Sequence, residues 1–344
     1  MKIILFIPWF GPLPNYFSTF LKSIEHLNGV VDFILTTDAN TDEYKLPANL
    51  KVYKETFKDF QNRVKNTLGE NNNITHPYKL CDYKPLRPII FSEYLSDEYE
   101  YCGYCDVDTV FGDVEGILNK IEYKKYDRIG PLGHFTIYRN NGIIKSIYQT
   151  EIPGDNDPYH KFSYISKTTY PCHFDEEGMN LICDYLNIPF YQNALGFNTA
   201  EKTFNIHTWN HNKHELLTWE NGHTYRYFYD QTGKIQKEEM MYIHYGCQKY
   251  MTQLEPLGNM FYLSREGFKN FDPSKLEDYL KTDGRPDTAE ELLLASKTYK
   301  KKLRKNRRER ILRELKTYGL RALIRNIRYR IPRLYDVIFR YKNL

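Results

Sequence analysis

Ile3-Ile4-Leu5-Phe6-Ile7-Pro8 begins the pattern that decides the fold class. An uncharged apolar run of this length suits a strand buried on both faces. From Asn15 to Leu27, the residues Phe17, Phe20, Leu21, Ile24 and Leu27 recur at helical spacing. A second apolar run, Val30-Val31-Asp32-Phe33-Ile34-Leu35-Thr36, ends on Thr37-Asp38. Strand, helix and strand in this order start a doubly wound parallel sheet. Such sheets bind ligands beyond the carboxyl ends of their strands. Phe10-Gly11 and Thr37-Asp38 therefore mark the expected ligand edge.

Reading outward, Lys51 to Tyr53 is a weaker strand, and residues 57–68 form an amphipathic helix through Phe57, Phe60, Val64 and Leu68. Glu70 to Pro77 is a polar loop. Cys81 and Asp82 open a helix running to about Leu95, with Pro85 and Pro88 confining its regular part to the later residues. Tyr99 to Cys105 is a strand that ends directly in Asp106-Val107-Asp108. Asp113 is a good cap for a short helix from Val114 to Ile121. Beyond Arg128 the parallel pattern fades. Residues 133–139 alternate like a strand, 151–200 read as irregular, and Leu216 to His244 predicts antiparallel hairpins turning at Glu220-Asn221-Gly222 and at 230–233. The expected class is α/β, a Rossmann-like mixed sheet with helices on both faces, antiparallel hairpins in the second half and a basic helical C-terminal tail. Residues 1–265 form one expected domain, split into a nucleotide-binding half (1–130) and a substrate half (131–265), and 266–344 the helical, basic extension.

The hydrophobic content, 41% of 344 residues, is that of a globular chain. Net charge is +4, unevenly spread: residues 300–344 carry 17 Lys/Arg and 3 Asp/Glu, leaving 31 basic and 41 acidic residues in the rest. An acidic body with a basic tail needs two explanations. No run of 18 apolar residues suggests a membrane span. The N-terminus lacks a small-residue cleavage site and reads as a buried strand rather than a signal peptide. Six scattered cysteines fit a reduced, cytoplasmic protein. Cys102 and Cys105 would point to opposite faces of their strand, which argues against a redox or zinc pair.

Asp106 and Asp108 carry the chemistry. Carboxylates at i and i+2 at a strand end can project to one side. Together they suit Mg²⁺ or Mn²⁺, which favour carboxylates, water and substrate phosphates. Such an ion acts as a Lewis acid on a departing diphosphate.

Tyr78-Lys79-Leu80-Cys81-Asp82-Tyr83-Lys84-Pro85-Leu86, then Tyr104-Cys105-Asp106-Val107-Asp108, then Gly112-Asp113, resemble the DxD-containing GT-A glycosyltransferases. The resemblance is closest to bacterial glycosyltransferase-like proteins associated with capsule and other surface polysaccharides. It continues through Gly133-His134-Phe135, Tyr138-Arg139-Asn140, Trp219-Glu220-Asn221-Gly222 and Tyr242-Ile243-His244, covering roughly residues 1–250. It implies a nucleotide-diphosphate sugar donor and a glycan or lipid-linked acceptor. Pro8, Trp9 and Phe10 would lie beside the nucleotide, with Asp82, Lys84 and Val107 contacting the donor. His244 would be the third metal ligand, as a late histidine is in many GT-A enzymes. Gly246 allows close approach of phosphate, and Lys249 meets its charge. The family often has an arginine near position 250, where this chain has Tyr250. His134 and Arg139 are candidates for shaping the pocket. Asp175 and Glu176, followed by Glu177, are candidates for a catalytic base. They equally suit an acidic first turn of a helix.

A nucleotidyltransferase is a second reading. It would need a glycine-rich basic loop after the first strand, where this chain has Pro8-Trp9-Phe10-Gly11-Pro12. A non-catalytic membrane-surface binding protein is a third reading. From Tyr299 onward, Ile311, Leu312, Leu315, Leu323, Ile327 and Leu334 form a broken helical stripe among basic residues. That composition suits an anionic membrane surface and predicts a peripheral location on its cytoplasmic face. No nucleic-acid module is recognisable, so no nucleic-acid partner is expected.

Overall fold

Alternation along the first strand, β1 (Ile3–Trp9), sorts its side chains into two cores: Ile3, Leu5 and Ile7 enter one cluster, Ile4 and Phe6 the other. The computed structural model describes residues 1–199, 215–246, 255–264, 266–284 and 308. Helix α1 (Phe17–Glu25) returns the chain to β2 (Val31–Thr37), and β3 (Leu50–Lys54) and α2 (Phe57–Leu68) follow. The Thr56 hydroxyl caps α2 by accepting from the Asp59 amide at 3.1 Å.

The expected helix after residue 80 is broken into pieces. A 3-10 stretch begins at Pro77 and runs to Leu86. Helix α3 (Arg87–Ile90) is a single turn, and a second 3-10 turn spans Ser92–Tyr94. Pro85 lies inside the first stretch, and proline lacks the amide an α-helix needs. Strand β4 (Tyr101–Cys105) leads through the two aspartates into β5 (Thr109–Phe111). Helix α4 (Val114–Lys120) is capped as expected, with the Asp113 carboxylate accepting from the Gly116 amide.

Strands β6 (Arg128–Leu132) and β7 (Phe135–Arg139) form a tight antiparallel pair. The stretch expected to be irregular holds much order: α5 (Ile143–Ile147) precedes it, and α6 (Phe162–Ile165), a π-helical turn at Phe174–Gly178, α7 (Met179–Tyr185), β8 (Phe190–Tyr191) and β9 (Gly196–Asn198) lie within it. These elements are too short to show a period in sequence.

Strands β10 (Leu216–Glu220), β11 (His223–Tyr229) and β12 (Ile235–Met240) form the expected meander. Asn221 and Gly222 both take positive φ, 51° and 92°, as a tight hairpin turn requires. β13 (Tyr242–His244) does not continue that meander: it pairs antiparallel with β5 and parallel with β9. Strands β14 (Met260–Leu263) and β15 (Phe268–Asn270) complete the meander's sheet, with Leu280 of α8 (Leu276–Thr282) in its small core. Both β15 and α8 lie beyond residue 265, where the sequence suggested that the extension begins.

The result is a mixed α/β structure. A seven-stranded sheet has the order β3-β2-β1-β4-β7-β6-β8, a five-stranded sheet β12-β11-β10-β14-β15, and a three-stranded one β5-β13-β9. In the large sheet β3, β2, β1 and β4 are parallel, and β7 runs opposite to β4. Helices α1 and α4 contribute to one core, whereas α2, the 77–94 segment and α5 to α7 contribute to the other. One compact unit comprises residues 1–152 and 159–286. From residue 285 onward only residue 308 is described, so the expected amphipathic tail lies outside the described residues. No helix among the described residues is long and apolar enough to cross a membrane.

Candidate metal centre

The site forms where β4 ends beside β7. Cys105 pairs with Phe135, and the Asp106 amide donates to the His134 carbonyl at 3.1 Å. The chain then turns through Asp108 into β5, and the Tyr245 amide donates to the Asp108 carbonyl, also at 3.1 Å. Pairing of β13 with β5 places His244 opposite Thr109. Ligand atoms of Asp106, Asp108 and His244 consequently lie within 4.8 Å of one another. The structure thus brings together the three residues proposed from sequence as ligands.

The chemistry of this donor set fits a divalent ion. His244 Nε2 faces Asp108 Oδ1 at 3.4 Å, while its Nδ1 lies 2.9 Å from Asn198 Oδ1. A proton on Nδ1, donated to Asn198, leaves the Nε2 lone pair free on the Asp108 side. Metal-binding imidazoles are commonly fixed in this way through their second nitrogen.

His134 stacks on His244, with ring centroids 4.1 Å apart and planes 14° apart. Its side chain is buried, and among the described residues neither ring nitrogen has a hydrogen-bond partner. Burial, with His244 and Lys84 adding to it, holds its pKa well below the usual histidine value. His134 is therefore neutral.

Lys84 forms the floor. Its Nζ donates to Asp106 Oδ2 at 2.7 Å and to the Gly133 carbonyl at 3.0 Å, and lies 4.0 Å from Asp175 Oδ2. Burial works to lower its pKa, but the neighbouring carboxylates, Asp106 foremost, move it upward overall. Burial pushes the Asp175 carboxyl up to about 7, against the pull of Lys84 and with help from Glu176. Glu176 is less buried, and its Oε1 accepts from the Gly133 amide at 2.7 Å. Gly133 is needed here for space, since a Cβ would stand 2.2 Å from Asp175 Oδ2. Asp175 and Glu176 thus divide: the first turns inward to Lys84, the second is the more accessible, and Glu177 is exposed.

Several expected contacts take other roles. Asp82 is fully buried. It pairs with Lys79 at 2.7 Å and accepts from the Cys172 and Phe174 amides, so its carboxylate ties down the 168–174 segment rather than facing a ligand. Val107 is buried in the core, which leaves only its backbone for a ligand. At the end of β1, Pro8 is buried and Phe10 packs on Phe57 and Phe60. Trp9 is half-buried, its Nε1 donating to the Pro12 carbonyl. The Gly11 amide donates to Asp38 Oδ1 at 2.7 Å, joining the ends of β1 and β2. Arg139 pairs with Tyr101 at the opposite end of β4 and is held by Asp127, which removes it from the site. Gly246 has φ 57° and follows His244 closely. Lys249 and Tyr250 lie outside the described residues.

Asn198 and the Lys84–Asp106 contact had no local signal in sequence. A second group, Asp113, His223 and Glu239, also has metal-ligand spacing. Its members are already engaged: Asp113 caps α4, and Glu239 binds both His223 and Lys120. No curated protein and no solved structure matches the chain. Residues 5–272 match the model of a family of unknown function, DUF6625, and the chain belongs to that family.

Proposed function

We propose that the protein is a GT-A-type glycosyltransferase. It moves a sugar from a nucleotide-diphosphate sugar to a glycan or lipid-linked acceptor, in the synthesis of a cell-surface polysaccharide. One observation carries the reading: two carboxylates and an imidazole converge at the carboxyl end of a central strand of a mixed sheet. That edge is where open α/β sheets take nucleotides.

Asp106, Asp108 and His244 would hold Mn²⁺ or Mg²⁺, whose chemistry is to neutralise the diphosphate as it leaves. The imidazole favours Mn²⁺. Asn198 fixes the His244 tautomer, and Gly246 lets the backbone approach phosphate. In an inverting transfer, Glu176 accepts the proton of the acceptor hydroxyl. Its Oε1 is held by the Gly133 amide, whereas Asp175 faces Lys84. The acidic body and basic tail support a peripheral location on the cytoplasmic face of an anionic membrane.

The test is turnover of a panel of nucleotide sugars with and without Mn²⁺, in the parent protein and in Asp108→Asn. Donor cleavage or transfer that needs Mn²⁺ and disappears in the variant supports the reading. Metal-independent turnover, or an active Asp108→Asn protein, removes it.

A further inference from the structure

A lysine buried against one of two metal-ligand carboxylates needs an electrostatic reason. Lys84 bonds Asp106 Oδ2 at 2.7 Å with its side chain only 8% exposed. It cannot swing away freely, because the Gly133 carbonyl holds the same ammonium. It cancels the charge of one of the two ligand carboxylates, and His244 adds none when neutral. Asp175 stands farther from the ammonium, at 4.0 Å, and Arg87 adds a second buried cation near Lys84.

We infer that Lys84 makes the centre selective for a divalent cation bound together with a phosphate-type anion, and disfavours the bare ion. The inference deepens the proposed function and rests on its metal site. A divalent ion held by Asp106, Asp108 and His244 beside Lys84 and Arg87 carries more positive charge than the two ligand carboxylates cancel, with Asp175 offsetting Arg87 and Glu176 committed to the Gly133 amide, in a largely buried site where such charges interact strongly. A diphosphate on the open side of the ion removes the excess. Coupling of this kind is reciprocal: the anion tightens the ion by the factor by which the ion tightens the anion. The lysine thus makes the centre fill when the ionic leaving group is present.

The experiment measures protein-bound Mn²⁺ by equilibrium dialysis at matched free Mn²⁺, alone and with inorganic pyrophosphate, which is independent of base and sugar; Mn²⁺–pyrophosphate formed in solution is equal on both sides of the membrane. In the parent protein pyrophosphate should tighten Mn²⁺ about tenfold or more. Lys84→Met should bind Mn²⁺ alone about tenfold more tightly, with the tightening by pyrophosphate reduced to about threefold or less. Lys84→Arg, which keeps the charge, should retain the parent coupling. Equal Mn²⁺ affinity with and without pyrophosphate in the parent protein overturns the inference without recourse to any variant. So does a folded Lys84→Met protein that keeps the full coupling. In both cases, Mn²⁺ binding that is lost in Asp108→Asn leaves the metal site itself standing. No Mn²⁺ binding under any condition overturns both readings.

Discussion

Asn198 and His244 are register partners across the parallel pair β9 and β13, and the side chain of one orients the ring of the other, Oδ1 to Nδ1 at 2.9 Å. The pair is local in space and remote in sequence. It links the stretch read as irregular to the candidate metal site.

Asn198→Leu should therefore weaken Mn²⁺ binding by about 10–100-fold, the usual cost of losing an outer hydrogen bond to a metal-bound histidine. The fold should survive, since the change leaves the β9–β13 backbone pairing in place. Calorimetry with Mn²⁺ and a nucleoside diphosphate is the check, and an affinity equal to that of the parent refutes the orienting role.

Asp82 and Lys79 predict an effect on stability rather than on ligand affinity. Both are fully buried, and removing one partner strands the other charge. Asp82→Ala should cost about 3–5 kcal/mol in denaturant unfolding. The folded fraction should bind nucleotide normally. A variant of parental stability with lost donor affinity would return Asp82 to the ligand-contact role implied by the family resemblance.

Asp175 predicts the sign of a pH dependence. Its folded pKa, about 7, lies above the unfolded value near 3.8. The native state therefore binds more protons than the unfolded chain between these values, and stability falls as pH rises through that window. The contribution is fully present below about pH 4 and lost by about pH 7, a few kcal/mol at most. Asp175→Asn should flatten this part of the metal-free stability profile. An unchanged slope between pH 4 and 7 in the variant contradicts the assignment.

The basic tail predicts separation of catalysis from location. A chain ending before Lys300 should keep metal-dependent nucleotide binding and lose binding to anionic vesicles. Vesicle binding by the intact chain should weaken with salt, because exposed charges are screened over about 8–10 Å at physiological ionic strength. An apolar face should leave a salt-resistant remainder. Equal vesicle sedimentation of the two chains removes the membrane role.

What could be read from sequence was whatever repeats within one element. The apolar run at 3–8, the helical stripe at 17–27 and the run at 30–36 each reveal their element locally, and β1, α1 and β2 follow them. The aspartates at 106 and 108 are only two residues apart along the chain, so their convergence needed only a strand end. Proline broke the pattern at 77–94, and strands as short as β5, β8 and β9 have no period to detect. Tertiary structure alone decided which partners meet. The parallel pairing of β13 with β9 chose Asn198 for His244. The bend at Gly133 put Glu176 on one side and Lys84 on the other, and burial turned Asp82 from a ligand candidate into an anchor. Each depends on contacts between residues distant in sequence. Spacing along the chain encodes periodicity, whereas burial and charge pairing arise only once separate elements pack.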